Sequence, residues 1–133
     1  MWQSLQISRL ILRLSLAAVF LWFGIDKFFD PAYWLNTWVP NSVVSFGAVL
    51  HISSNAIVYG IGVMELLVGI SLASNMFVDF FALVATVFLI AVSLFHGFGD
   101  ILVRDIGIIG GLIALIVWPR VRGGSSIRFR QYL

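Results

Sequence analysis

Ala56-Ile57-Val58-Tyr59-Gly60-Ile61-Gly62-Val63-Met64-Glu65-Leu66-Leu67-Val68-Gly69-Ile70-Ser71-Leu72-Ala73 carries a single charged group, Glu65, near its middle. At ~1.5 Å per residue a helix of this length covers ~27 Å, enough to cross most of a bilayer core. A carboxylate at that depth costs about 2.5–3.5 kcal/mol or more, and rarely sits there without a partner or a function. The stretch therefore reads as a membrane span, and the question it raises is what Glu65 faces.

The rest of the chain fits that reading. Its 133 residues are 61% hydrophobic and 11% charged, with a mean hydropathy of +1.05. Soluble domains run at about 45–50% apolar and about 25% charged. The length suits one domain, residues 1–133. A net charge of +2 gives no basis for nucleic-acid binding. The absence of cysteine excludes thiol–disulfide chemistry, thiolate metal sites and iron–sulfur ligation by this chain.

Working outward, a first span is expected over about residues 10–29, with Arg13 and the pair Asp26-Lys27 bounding its apolar heart. It is too long for a signal-peptide core, and no small-residue cleavage site follows it. Asp30-Pro31 stops it. Tyr33, Trp34 and Trp38 then suit a membrane–water interface. A short helix over residues 43–52, capped by Asn41 or Ser42, is too short to span and reads as interfacial or re-entrant. Ser53-Ser54-Asn55 offers an N-cap for the second span, residues 56–73. A third span is expected over 77–95 and a fourth over 101–118. Residues 106–118 alone are too short to cross, so the fourth helix must start early enough to take Arg104 and Asp105 into the membrane edge. The fold class expected is an all-α, four-span membrane bundle.

Arg9, Arg13, Arg120, Arg122, Arg128 and Arg130 gather at the two chain ends. The positive-inside rule places both termini in the cytoplasm of a multi-pass cell-membrane protein. Asp26, Lys27, His51, His96, Asp100, Arg104 and Asp105 then share the outer side, with Glu65 on the floor of that region. Helical spacing puts Arg13, Ala17, Phe20, Gly24 and Lys27 on one face, and Gly62, Glu65 and Gly69 on another. Thr86, Ser93, His96 and Asp100 align if the third helix runs that far, and Arg104, Gly107, Gly111 and Ala114 align on the fourth. Four such stripes turned inward enclose a polar pocket. Plainer readings stand beside this one. Lys27 snorkels to the interface, Arg104 pairs with Asp100 one turn away, His51 and His96 are hydrogen-bonded surface groups at helix ends rather than haem or metal ligands, and Gly107 with Gly111 packs one helix on another. The partner of Glu65, whether Lys27, Arg104 or neither, stays open.

Leu12-Arg13-Leu14, Phe20-Leu21-Trp22-Phe23-Gly24-Ile25-Asp26-Lys27-Phe28-Phe29, Gly62-Val63-Met64-Glu65-Leu66-Leu67-Val68-Gly69 and Arg104-Asp105-Ile106-Gly107-Ile108-Ile109-Gly110 resemble the DoxX/DoxD-like membrane proteins. The resemblance implies a four-helix membrane bundle. It also implies membrane redox work, since members of that family include a subunit of a thiosulfate:quinone oxidoreductase. On that basis Glu65, Lys27 and Arg104 are the expected catalytic residues. Lys27 or Arg104 would hydrogen-bond a quinone carbonyl and attract thiosulfate, while Glu65 would exchange the proton. Asp26, His96, Asp100, Asp105 and Trp22 are the expected binding residues, with no metal. A quinone is the one cofactor the resemblance suggests. The expected partners are the lipid bilayer, a redox-complex subunit and a second copy of the chain. Two other functions remain open: a non-enzymatic scaffold or assembly factor, and a small transporter or lipid-binding protein.

Overall fold

The computed structural model describes residues 1–119, so the four tail arginines lie outside the described residues. The described chain is helical: α1 (Trp2–Phe29), α2 (Pro31–Trp38), α3 (Asn41–Val49), α4 (Ser54–Ser74), α5 (Val78–His96) and α6 (Asp100–Ile116). Three of these are long and apolar enough to cross a membrane: residues Gln3–Phe29 of α1, α4 and α5. The 17 residues of α6 rise ~26 Å, short of a ~30 Å hydrocarbon core.

The caps follow local chemistry. Asp30 ends α1 and starts α2, where its side chain accepts from the Tyr33 N–H at 3.2 Å and Pro31 occupies the first turn. Ser53 caps α4 by accepting from the Ala56 N–H at 3.3 Å. α3 begins and ends earlier than the sequence suggested. The Pro40 carbonyl, held in extended backbone, already accepts from the Val43 N–H at 2.9 Å, so Pro40 is the cap rather than Asn41 or Ser42. The helix closes where the Ile52 N–H folds back onto the Gly47 carbonyl at 2.8 Å and His51 turns left-handed (φ 57°). The segment expected to present interface tryptophans is itself helical, as α2.

α1, α4, α5 and α6 form a ring. α1 packs chiefly on α4 and α5 chiefly on α6, while α2 and α3 lie against α4. The α1–α4 contact is backbone on backbone: a Cβ on Gly24 would lie 3.0 Å from the Gly62 carbonyl oxygen, and one on Gly62 would lie 3.1 Å from that of Gly24. Only glycine on both sides permits that approach. Toward the α4–α5 turn the ring is filled by a continuous core that includes Leu16, Phe20, Leu72, Ala85, Leu112 and Leu115. Toward α2 it opens. Outside, large apolar side chains stand exposed, as a lipid-facing surface requires; Trp22 is 71% exposed and Leu94 79%.

Burial corrects one expected stripe. The buried positions of α6 are Asp105, Leu112 and Leu115; of the expected stripe, Arg104 and Gly107 are exposed and Gly111 and Ala114 only partly buried. No atom lies within 4 Å of a Cβ built on Gly107, and Gly111 alone of the two touches Leu16, at 3.3 Å. The helix is turned by about one residue so that leucines, not glycines, fill the ring; glycines there would leave voids. On α5 the polar stripe ends with the helix at His96, and Asp100 opens α6 as an exposed residue.

Candidate functional site: two ion pairs under a tryptophan wall

The glycine contact between α1 and α4 sets Lys27, one turn beyond Gly24, against Glu65, one turn beyond Gly62. Lys27 Nζ donates to Glu65 Oε2 at 2.6 Å. The two residues are 5% and 6% exposed. Lys27 Nζ also lies 3.4 Å from the Phe23 carbonyl oxygen. It sits 3.7 Å from the centroid of the Trp34 ring, close enough for cation–π attraction.

Trp34 reaches that position through α2. Its Nε1–H donates to Asp26 Oδ2 at 2.9 Å, which ties α2 down onto α1. It meets Phe23 edge-to-face, with ring centres 5.7 Å apart, and Trp38 follows one turn later at 5.6 Å. From the far side, Arg104 donates from Nε and Nη2 to Asp105 Oδ1 at 2.9 and 2.8 Å. Asp105 is fully buried, and its Oδ2 faces the Ser93 hydroxyl at 3.4 Å. The Arg104 guanidinium lies over the Phe23 and Trp38 rings, at 5.4 and 5.2 Å.

Between these groups is a partly open, mostly apolar cavity of about 80 Å³, lined by both ion pairs and by Phe23, Trp34, Trp38 and Leu89 among others. A dry cavity of ~150 Å³ holds benzene, so the enclosed part of this one is smaller than a whole aromatic ring. Two cations and two carboxylates face it, and their formal charges cancel.

The cavity thus unites four of the residues singled out from sequence: Lys27, Glu65, Arg104 and Asp105. Asp26 stands behind Trp34 rather than in the cavity. His96 is half-buried, its Nδ1 3.0 Å from the Val92 carbonyl oxygen and its ring 5.3 Å from that of Trp38. Asp100 and His51 are exposed, and Trp22 points outward. Arg104 bonds Asp105, its neighbour, rather than Asp100. Sequence reasoning missed Trp34 and Trp38 as site residues. The signal was present: an Asp-Pro start followed by tryptophans four residues apart, which one helix places on one side.

A model of the family described as DoxX matches residues 8–97. This chain belongs to the DoxX family. Together with the three long apolar helices, that makes it a membrane protein. No curated protein and no solved structure matches it. The DoxX match takes in Lys27, Trp34, Trp38 and Glu65 and stops at the end of α5, so the Arg104–Asp105 pair is supplied by the helix beyond it.

Proposed function

We propose that this DoxX-family chain is a four-span membrane subunit whose cavity binds a quinone ring and which works with a redox partner. The observation that carries the reading is the buried Lys27–Glu65 pair facing the Arg104–Asp105 pair across an aromatic cavity. Burying an ion pair in an apolar bundle seldom gains stability over a well-packed apolar replacement. One such pair on the wall of a cavity, opposite a half-exposed arginine that pairs with a buried aspartate, therefore points to a ligand. Aromatic walls suit a flat ring, Arg104 suits a carbonyl oxygen, and Glu65 suits proton exchange. Converting quinone to quinol takes two electrons and two protons. A chain without cysteine draws the electrons from a partner's redox centre. Lys27 and Arg104 are each already matched by a carboxylate. The cavity thus offers an anion no net attraction, and in this reading thiosulfate is the partner's substrate.

In this reading α6 is the fourth span. It returns alongside α5 after a three-residue turn, and its first turns hold Arg104 and Asp105 at the membrane edge. Both chain ends then share one side.

The test is to purify the full chain in mild detergent and identify extracted small molecules by mass spectrometry. A stoichiometric quinone, depleted in Arg104→Ala, is the expected result. A chain that carries none and does not bind added short-chain ubiquinone would sink the proposal. A scaffold role draws support from Gly107 and Gly110, which have no neighbour within 4 Å of a built Cβ. It would instead show a stoichiometric protein partner and no small molecule.

A further inference from the structure

Counting donors divides the labour between the two cations. A lysine ammonium has three N–H groups. Those of Lys27 are taken by Glu65 Oε2, the Phe23 carbonyl and the face of Trp34. Arg104 has five N–H groups and spends two on Asp105 Oδ1, leaving three. On the acceptor side, Glu65 Oε2 holds Lys27, while Glu65 Oε1 has no hydrogen-bond partner among the described residues although Glu65 lines the cavity. The cavity lining therefore carries two unspent donor groups, the Arg104 guanidinium and the Trp38 indole, whose buried Nε1–H has no hydrogen-bond partner among the described residues, and one free acceptor, Glu65 Oε1. Lys27 is a positioning residue that fixes Glu65.

We infer that the site, as built, is complementary to the quinol rather than the quinone, and that a quinone enters only together with one proton. The inference rests on the quinone reading above. A quinol hydroxyl both donates and accepts, so one oxygen satisfies Glu65 and Arg104 at once. A quinone oxygen only accepts. Set against an ionised Glu65, it leaves two acceptors facing each other in a low-dielectric site, an arrangement that is costly. A proton on Glu65 removes the conflict: the carboxylic acid then donates to the carbonyl, and its other oxygen still accepts from Lys27. In the reduction, two electrons arrive from the partner's redox centre. One proton passes from Glu65 to the ring oxygen, the second enters from water at the mouth, and the quinol is left on a re-ionised Glu65.

The charged groups around Glu65 are few among the described residues. α1 brings Lys27, with Asp26 held away by Trp34. α6 brings Arg104 and Asp105. α2 brings only the uncharged Trp34 and Trp38. From α5, Ser93 meets Asp105 and His96 lies beside Trp38.

The test is titration calorimetry of the full chain in detergent with a short-chain ubiquinone and with its anaerobically prepared quinol, at about pH 6 and about pH 8. Quinol should bind about tenfold or more tightly than quinone at the higher pH. Quinone affinity should fall as pH rises, by up to about tenfold per unit for one linked proton, while quinol affinity stays flat. Glu65→Gln should abolish the pH dependence and level or reverse the preference, because its amide N–H donates to a carbonyl. If that variant does not fold, the pH series on the unaltered chain decides alone. Equal affinity for both forms at both pH values would overturn the inference while leaving a quinone site. Binding of neither form would overturn the quinone reading and this inference with it.

Discussion

At the scale of single residues, the Lys27–Glu65 pair should behave as a matched set. Lys27→Met strands a buried carboxylate, and breaking such a pair from one side costs about 3–5 kcal/mol. Lys27→Met with Glu65→Met removes both charges and should recover most of that loss, because the surroundings are apolar. Thermal unfolding in detergent, followed by circular dichroism, measures both. A double variant as unstable as the single one would mean the pair holds the fold together by itself. The same double variant should bind no quinone, which separates the pair's chemical role from its structural one. Asp26 makes a second case. Its carboxylate accepts the Trp34 N–H at 2.9 Å, and a hydrogen bond to a charged group contributes about 1.5–3 kcal/mol. Asp26→Ala should release the Trp34 wall and weaken quinone binding by about tenfold or more. Asp26→Asn keeps an acceptor oxygen and should largely restore binding. Equal loss in both variants would move Asp26 out of the positioning role.

At the scale of helices, two glycine sites give opposite expectations. Gly62→Ala drives a methyl group to 3.1 Å from the Gly24 carbonyl oxygen and 3.0 Å from the Phe28 ring. A backbone oxygen cannot rotate aside, so α1 and α4 must part, at a cost of about 1–3 kcal/mol, and Lys27 draws away from Glu65. Gly107→Ala meets open space and should leave the unfolding free energy within about 1 kcal/mol of the parent's. Equal effects at the two positions would refute the α1–α4 crossing. The contrast also shows what the sequence could carry. Gly24 with Lys27 and Gly62 with Glu65 each combine a small residue and a charge one turn apart, and both motifs point inward. On α6 the same reasoning chose Arg104, Gly107 and Gly111, yet Asp105, Leu112 and Leu115 turned inward. In a bilayer the outside of a helix is as apolar as the inside, so hydrophobicity does not mark the buried face. Two adjacent charged residues, Arg104 and Asp105, leave a one-residue rotation undecided. α2 escaped for another reason. Eight residues between two prolines carry little periodicity, and Trp34 and Trp38 at the end of a span look like an interfacial belt until the Asp26 contact draws Trp34 into the bundle.

At the scale of the molecule, the cavity has one chemically meaningful orientation in the membrane. α2 and α3 lie at the end of the ring where the ion pairs open, and the α4–α5 turn lies at the other, where Asn75 and Phe77 both take left-handed backbone (φ 62° and 54°). Arg9 and Arg13 sit toward the start of α1, at that second end, and the tail arginines follow α6. If α6 crosses, the positive charge of both termini lies on one side and the cavity mouth on the other. The chain has no cysteine, so single introduced thiols report sidedness without background. In intact cells, an impermeant maleimide should label Ser45→Cys, which is exposed on α3, and should reach Ser4→Cys and Ser125→Cys only after permeabilisation. Labelling of Ser125→Cys in intact cells, with Ser4→Cys still protected, would mean an odd number of crossings. α6 would then not span, and Arg104 and Asp105 would meet the cavity from water rather than from within the bilayer. The even-span result instead puts a charge-balanced, aromatic-walled cavity within reach of both the outer aqueous phase and the lipid, where a membrane-soluble ring and a water-borne proton can meet.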